Sequence, residues 1–181
     1  MKKPSSIFGR LGNQMFQGAY IYAQMRDGAI DDIYVQDPKY FEKYRSEIMK
    51  LYGDGIGYKN KVAIHVRRGD YVDNPFYVDL TKTDYYKRAI AEFPDAKFLV
   101  FSDDIDFCKT YFIGEQYEFD ESNEIDALNA MASCVGHIIA NSSFSWWGAY
   151  LAPYTKKVIA PKLWYTDNVE RTKTPDSWIR I

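Results

Sequence analysis

Length, composition and charge narrow the classes to which this protein can belong. The chain has 181 residues, 46% of them hydrophobic and 17% aromatic, enough for the core of one sizeable domain or two small lobes. This composition and the net charge of −2 exclude a disordered chain, and the lack of a basic excess argues against a nucleic-acid-binding protein. The sixteen tyrosines and four tryptophans fit either an aromatic core or a carbohydrate-facing surface.

The N-terminal residues predict no targeting segment. They include lysines but no apolar run of the signal-peptide type, and no stretch of the sequence approaches the about 18 apolar residues that a membrane span requires. We therefore expect a cytoplasmic protein without a transmembrane segment.

The first sixty residues predict two helices and little strand. Apolar residues recur at helical spacing over 16–23, with Asn13 as the expected N-cap and Gly28 as the expected end of that helix. A brief strand at 31–37 and a second helix should follow. The glycine-rich, polar stretch 52–60 has no periodic pattern and predicts a boundary between lobes.

Beyond this boundary, which divides an N-terminal lobe (1–60) from a larger one (61–181), strands and helices alternate. Five strands alternating with four helical stretches predict an α/β fold with a mainly parallel sheet. The expected strands are 62–67, 97–101, 116–119, 137–140 and 157–160.

The two cysteines predict no metal site. Cys108 and Cys134 lack metal-ligand spacing, and each lies in an apolar helical pattern. We expect both to be reduced residues of the core, as in a cytosolic protein.

Polar residues follow three of the predicted strands. They occupy 65–70, 102–104 and 141–145. Ligands of parallel sheets bind at the carboxyl ends of the strands, so we expect these three clusters to meet at one edge of the sheet.

The first cluster contains adjacent arginines. Arg67 and Arg68 could engage phosphate oxygens in pairs and would suit a pyrophosphate, or they could form ordinary salt bridges with Asp70 and Asp73. His65, an alternating strand residue, fits a structural role at least as well as a catalytic one.

The other two clusters each allow two interpretations. The serines that follow Asn141 could bind an anion at a helix start or simply cap that helix. Asp103 and Asp104 could accept hydrogen bonds from a ribose or a base, or cap the next helix. Asp126 fits the N3 position of a helix capped by Asn123.

Several common catalytic motifs are missing from the sequence. It has no P-loop, no dinucleotide-binding glycine motif, no nucleophile elbow and no zinc-protease motif. Phosphate binding would therefore rest on arginine and a helix N-terminus, with no obligatory metal.

Five segments occur in an order that resembles the inverting α-1,2-fucosyltransferases, relatives of the α-1,6- and protein O-fucosyltransferases. The arginine segment together with FSWWGA is highly specific, whereas neither half alone would be. The segments are GRLGNQMFQ (9–17), HVRRGDY (65–71), FLVFSDD (98–104), NSSFSWWGAYLA (141–152) and VIAPKLWY (158–165).

The resemblance implies a GT-B architecture, in which a Rossmann-like C-terminal lobe holds GDP-fucose. The implied reaction is metal-independent transfer of L-fucose to a sugar hydroxyl, giving an α-1,2-linked galactoside with inversion. Only 50 residues lie between Gln14 and His65, fewer than in the family, so the N-terminal lobe is abbreviated.

The resemblance also implies roles for individual residues. Arg67 would neutralise the pyrophosphate, Asn13 would reach the donor from the other lobe, and Asp70 is the nearest carboxylate candidate for the general base. The implied donor-binding residues are His65, Arg68, Asp103, Asp104, Asp126, Asn141, Ser142, Ser143, Phe144 and Ser145.

Two other functions fit the same sequence. One is a non-catalytic module that binds a nucleotide sugar or a glycan, and the other is a transferase that uses a different nucleotide sugar. The acceptor, the linkage and the oligomeric state have no signal in the residues.

Overall fold

The computed structural model describes residues 9–27, 36–52 and 60–181. The predicted helix end at Gly28, most of the predicted strand at 31–37 and most of the predicted boundary at 52–60 lie outside the described residues.

Helices and strands alternate through most of the described chain, with short 3₁₀ turns between them. The helices are α1 (Leu11–Asp27), α2 (Arg45–Tyr52), α3 (Tyr85–Ala91), α4 (Ile105–Tyr111), α5 (Glu124–Ala132) and α6 (Ser143–Tyr150). The strands are β1 (Lys61–Val66), β2 (Lys97–Ser102), β3 (Tyr117–Phe119), β4 (Gly136–Ile138), β5 (Lys157–Ala160) and β6 (Ile179–Arg180).

The strands form one parallel sheet in the order β3-β2-β1-β4-β5-β6. On β1, Val62 pairs with Phe98 on one side and with Gly136 on the other. The order runs outward from β1 in both directions, as in Rossmann folds, and this places the topological switch point between β1 and β4. The predicted α/β class with a Rossmann-like parallel sheet is confirmed.

The bounds of β1, β2 and β3 lie within one residue of the prediction, and the larger differences are in β4 and β6. β4 begins one residue earlier than expected and ends at Ile138, although Ile139 still donates its N–H to the carbonyl of Ile159 at 3.0 Å. β6 was not predicted, because its two residues, both exposed, lack the apolar pattern of a buried strand.

The expected N-cap of α1 is wrong. The helix begins at Leu11, and the N–H of Gln14 already bonds to the carbonyl of Arg10 at 3.1 Å. Gly9, with φ of +89°, redirects the chain just before this turn. Asn13 therefore lies inside the first turn, where its side chain is free to make contacts outside the helix.

The aromatic core joins the N-terminal helices to α6. The ring centroid of Phe16 lies 4.4 Å from that of Trp146 and 5.0 Å from that of Trp147. The ring of Phe41 stacks on that of Trp147, with 5.6 Å between their centroids. All four side chains are fully buried, and each large aromatic group buried in this way contributes about 1.5–3 kcal/mol. This packing fixes the start of α1 against the start of α6.

The predicted core position of both cysteines is confirmed. Cys108 and Cys134 are buried free thiols, and burial raises their pKa to about 11 and about 12. They are inert core residues at neutral pH. Across the described part of the chain, no helix combines the length and the apolarity needed to cross a bilayer.

Candidate functional site

The three predicted polar clusters converge, as expected, at the carboxyl ends of β1, β2 and β4. They surround a cleft of about 450 Å³ at the switch point, a usual size and place for a ligand site in such a sheet. The predicted site residues that line it are Asn13, His65, Arg67, Asp70, Asp103, Ser142, Ser143 and Phe144.

Arg67 is the centre of a charged cluster in this cleft. Its guanidinium donates hydrogen bonds to Asp103 and Asp70, and its side chain is only 10% exposed. A guanidinium nitrogen of Arg10 lies 3.9 Å from a carboxylate oxygen of Asp70 and 3.8 Å from one of Asp103. Two cations and two carboxylates therefore face the cleft, and a diphosphate would compete with the carboxylates for the planar donor edge of Arg67.

Gly69 makes this cluster possible. A Cβ at this position would overlap Oδ2 of Asp103, and the adjacent N–H of Arg68 donates to Oδ1 of the same carboxylate at 2.9 Å. The glycine of the arginine motif thus lets a carboxylate from β2 approach the end of β1.

Arg68 points away from the cleft. Its Nε donates to Asp104 at 3.0 Å, and its guanidinium lies 3.6 Å from the ring centroid of Phe107. Asp104 also accepts from the N–H of Phe107 at 3.2 Å, which makes it the N-cap of α4. The bond from Arg68 lowers the pKa of Asp104. The capping role matches the structural alternative for Asp104, whereas Arg68 forms its ion pair with Asp104 rather than with Asp70 or Asp73. The donor-binding roles of both residues stay predictions.

The N-terminus of α6 opens onto the cleft. Ser142 is the N-cap and accepts from the N–H of Phe144 at 3.4 Å, whereas Ser145 is buried and accepts from the N–H of Ala140 at 3.2 Å. Ser143 donates its hydroxyl to Oδ1 of Asn13 at 2.7 Å. The positive end of the helix dipole suits an anion at this point.

Asn13 is held in one orientation by two donors. Gln36 donates to Oδ1 of Asn13 at 3.0 Å, in addition to the bond from Ser143. The hydroxyl of Thr172 in turn donates to Oε1 of Gln36 at 2.5 Å. Because both donors use the oxygen, the amide nitrogen of Asn13 has no hydrogen-bond partner among the described residues. It remains available to a ligand in the cleft.

Gly12 allows α1 to approach α6 this closely. A Cβ at Gly12 would lie 2.5 Å from the backbone nitrogen of Phe144. Sequence reasoning did not single out Gly12 or Gln36. The GRLGNQ segment contains the glycine, but nothing in the sequence near Gln36 indicates its role.

His65 is a buried, neutral side chain at the floor of the cleft. It is 5% exposed, and no hydrogen bond to either ring nitrogen is formed within the described residues; its Nδ1 is fully buried. Burial, reinforced by the charges of Arg67 and Arg10, lowers its pKa to about 3. At neutral pH, His65 therefore carries no charge and can donate one hydrogen bond and accept another.

Two further predicted residues hold structure rather than line the cleft. Asn141 is buried and donates its amide to the carbonyls of Val78 and Trp164, both at 2.9 Å. Asp126 bonds with Asn123, the N-cap of α5, at 2.6 Å. Their binding roles, like that of Ser145, stay predictions.

Aromatic residues that the sequence analysis did not assign to the site also line the cleft. They are Tyr71, Tyr77, Trp164 and Tyr165. The signals were present, because Trp164 and Tyr165 close the VIAPKLWY segment and the chain is rich in tyrosine.

Comparison with known families gives one match over most of the chain. The model described as Glycosyl transferase family 11 matches residues 19–181. The matched range contains both the arginine motif and the start of α6, while Gly12 and Asn13 precede it.

Two curated proteins of Escherichia coli are similar in sequence. An O-antigen biosynthesis glycosyltransferase, WbnK, is 31% identical over 87% of this chain and 62% of its own length. An alpha-1,2-colitosyltransferase is 33% identical over 81% of this chain and 60% of its own length. The chain thus spans about three fifths of the length of these relatives.

Among solved structures, a beta Kdo 2,4 transferase, KpsC of Thermosulfurimonas dismutans, aligns with a TM-score of 0.43 at 15% identity. The alignment covers 66% of this chain and 42% of the other.

Proposed function

Because the chain belongs to glycosyl transferase family 11, we propose that it transfers L-fucose from GDP-fucose to a galactoside hydroxyl, forming an α-1,2 linkage with inversion. This family is the one that the ordered sequence motifs predicted. The named activities of the two similar proteins, O-antigen glycosyl transfer and α-1,2 colitosyl transfer, support the reaction class.

One observation carries the proposal: Arg67 and the N-terminus of α6 line the same cleft at the switch point of the sheet. A nucleoside diphosphate leaving group gains negative charge as the bond to the sugar breaks. Donors fixed in advance around that charge stabilise the transition state, and each is commonly worth about 10²–10³ in rate. Arg67 would supply paired donors, and the start of α6 would supply backbone N–H groups.

The ion pairs of Arg67 suggest how the acceptor is deprotonated. In the described structure Asp70 is held by Arg67, although its side chain is 64% exposed. A bound diphosphate would take over the guanidinium and free the Asp70 carboxylate. The acceptor oxygen would then attack the anomeric carbon, the bond to the diphosphate oxygen would break, and Asp70 would receive the hydroxyl proton.

A second donor sugar deserves a direct test. Colitose is fucose without its 3-hydroxyl, and one of the similar proteins is an alpha-1,2-colitosyltransferase. A site that binds the 3-hydroxyl of fucose would reject colitose strongly, because its polar groups would be left unpaired. Comparing the two GDP sugars therefore reports on the donor pocket.

The test is incubation of the protein with GDP-fucose and a panel of β-galactosides, with and without EDTA. We expect GDP release that depends on the acceptor, a fucosylated product and no effect of EDTA. Tight GDP binding without turnover would indicate the non-catalytic module. Preferential turnover of GDP-colitose, or stabilisation by UDP rather than GDP, would replace the proposed donor.

A further inference from the structure

Four aromatic side chains form a continuous surface beside the charged cluster, and the hydroxyl of one of them, Tyr71, donates at 3.1 Å to the carbonyl of Asn141, next to the N-cap of α6. We call Tyr71, Phe76, Tyr77 and Tyr165 the aromatic shelf. Tyr71 and Tyr77 stack in parallel, with 3.7 Å between their ring centroids and 6° between their planes. Phe76 packs 5.1 Å from both Tyr77 and Tyr165, so the four rings touch in one unbroken series.

Backbone hydrogen bonds hold the shelf in place. Its residues come from two loops, one after β1 and one after β5, which meet at an antiparallel bridge between Tyr77 and Tyr165. The N–H of Thr166 donates to the carbonyl of Phe76 at 3.1 Å. The side-chain amide of Asn141 donates to one carbonyl in each loop, that of Val78 and that of Trp164. The rings are therefore preorganised, and little conformational entropy is lost when a ligand stacks on them.

Arg171 fixes the outer end of the shelf. Its guanidinium lies 4.9 Å from the ring centroid of Phe76 and 4.8 Å from that of Tyr165, and Asp167 orients it through bonds of 2.9 and 2.6 Å. Phe76 nevertheless remains 42% exposed. Phe76 does not itself line the cleft, but it packs on Tyr77 and Tyr165, which do, so its exposed ring extends the aromatic surface of the cleft, as is typical of a binding surface.

The shelf adjoins the charged cluster directly. Tyr71, Tyr77 and Tyr165 line the same cleft as Arg67, and the Arg67 guanidinium lies 5.1 Å from the ring centroid of Tyr71. A molecule lying on the shelf would thus reach the group that we assign to the leaving diphosphate. The four side chains of the shelf are uncharged, and the two arginines that contact them, Arg67 and Arg171, are each paired with carboxylates, which suits a neutral ligand.

We propose that the aromatic shelf binds the acceptor by stacking against the apolar face of a β-galactoside. The axial 4-hydroxyl of galactose leaves the hydrogens on C3, C4 and C5 on one face of the ring. These slightly positive C–H groups pair with the negative faces of aromatic rings. The inference rests on the proposed transfer to a galactoside and adds the surface that orients the acceptor.

The test uses Phe76→Ala, because this exposed ring can be removed without opening the core. We expect the KM for methyl β-galactoside to rise about five- to tenfold, as for loss of one stacking contact, while the affinity for GDP stays constant. Phe76→Trp should keep KM near the wild-type value. Tyr154→Ala, which removes a 48% exposed tyrosine just before β5 at the opposite edge of the sheet, is the matched control.

Direct binding separates this inference from the proposed reaction. Saturation-transfer NMR of methyl β-galactoside reports contact between sugar and protein whether or not turnover occurs. Loss of the signal in Phe76→Ala but not in Tyr154→Ala would support the shelf even if GDP-fucose is not used. An unchanged KM and an unchanged NMR signal in Phe76→Ala, or no sugar signal in the wild type, would overturn it.

Discussion

The charged cluster and the aromatic shelf adjoin in one cleft, yet they are built differently. The charged cluster is made of ion pairs between separate elements, with Arg67 and Asp70 after β1, Asp103 after β2 and Arg10 before α1. The shelf is made of stacked rings on loops joined by backbone hydrogen bonds. An anion can exchange with the carboxylates of the first, whereas the second is already in its binding shape.

This difference between the charged cluster and the shelf indicates how one segment would contact both the donor and the acceptor of the proposed reaction. The chain leaves β1 at Val66, places Arg67 in the charged cluster, and reaches the shelf at Tyr71 after a single 3₁₀ turn. The donor's charge and the acceptor's apolar face would thus be recognised a few residues apart. Substitutions in the charged cluster and substitutions in the aromatic shelf should therefore have separable effects.

Arg67→Ala should have the largest effect. Loss of the paired donors should lower kcat by at least about 10²-fold, because charge on the leaving diphosphate would no longer be neutralised. Steady-state kinetics with GDP-fucose and a β-galactoside measure this change. Arg88→Ala, which removes an exposed arginine of α3, is the control and should leave kcat unchanged. Near-normal turnover of Arg67→Ala would refute its assignment.

Asn141→Ala should damage the shelf and the fold together. The carbonyl of Val78 would lose its donor, and a buried unsatisfied group costs about 1–3 kcal/mol, while the carbonyl of Trp164 would keep the N–H of Val78 at 3.2 Å. We expect a lower free energy of unfolding in urea and a raised acceptor KM, with GDP affinity less affected. Asn129→Ala, on α5, is a control without such bonds. Equal stability of the two variants would show that Asn141 does not hold the loops.

Gly12→Ala should act where α1 packs against the start of α6. Its new Cβ would lie 2.5 Å from the nitrogen of Phe144, and overpacking of this kind costs about 1–3 kcal/mol. Because α1 must move away from α6, the bond from Ser143 to Asn13 should break. We expect weaker GDP binding and an unchanged NMR signal from the galactoside. An unaltered GDP affinity would show that this contact does not shape the donor end.

Acidification should destabilise the protein through its buried histidines. The pKa of His65 is about 3 in the folded chain and that of His137 about 4, both lowered first by burial, against about 6.5 in the unfolded chain. Below pH 6.5 the unfolded chain takes up protons that the folded chain excludes, so stability falls as the pH drops.

Thermal unfolding between pH 7 and pH 5 measures this loss, in a window above the ordinary titration of carboxylates. For each histidine, the free energy of unfolding should fall by an amount that approaches about 1.4 kcal/mol for every pH unit below 6.5. His65→Gln should flatten the curve by about half. A pH-independent Tm in the wild type would contradict the buried, neutral state of both rings.

The sequence was informative where local pattern determines structure. Apolar alternation located β1, apolar continuity located β2, and the strand ends placed Arg67, Asp103 and Ser143 at one edge before any geometry was known. The separation of Arg67 from its neighbour Arg68 was not predictable. Which of the two faces the cleft depends on Asp103 and Asp104, which a different strand supplies.

The shelf and the Asn13 contacts were missed for the same physical reason. Tyr77 and Tyr165 are 88 positions apart in the chain and meet only because two loops pair. Gln36 reaches Asn13 from a segment with no recognisable motif. Asn13 looked like a helix cap because its residue type favours that role, but a turn at Gly9 starts the helix earlier.

The most direct test of the charged cluster as a diphosphate site is calorimetric titration of GDP and of guanosine into the wild type and into Arg67→Ala. We expect the wild type to bind GDP at least about tenfold more tightly than guanosine, because charged hydrogen bonds contribute about 1.5–3 kcal/mol each. In Arg67→Ala, guanosine affinity should persist while most of the advantage of GDP disappears. An equal preference for GDP in both proteins would contradict the central role of Arg67.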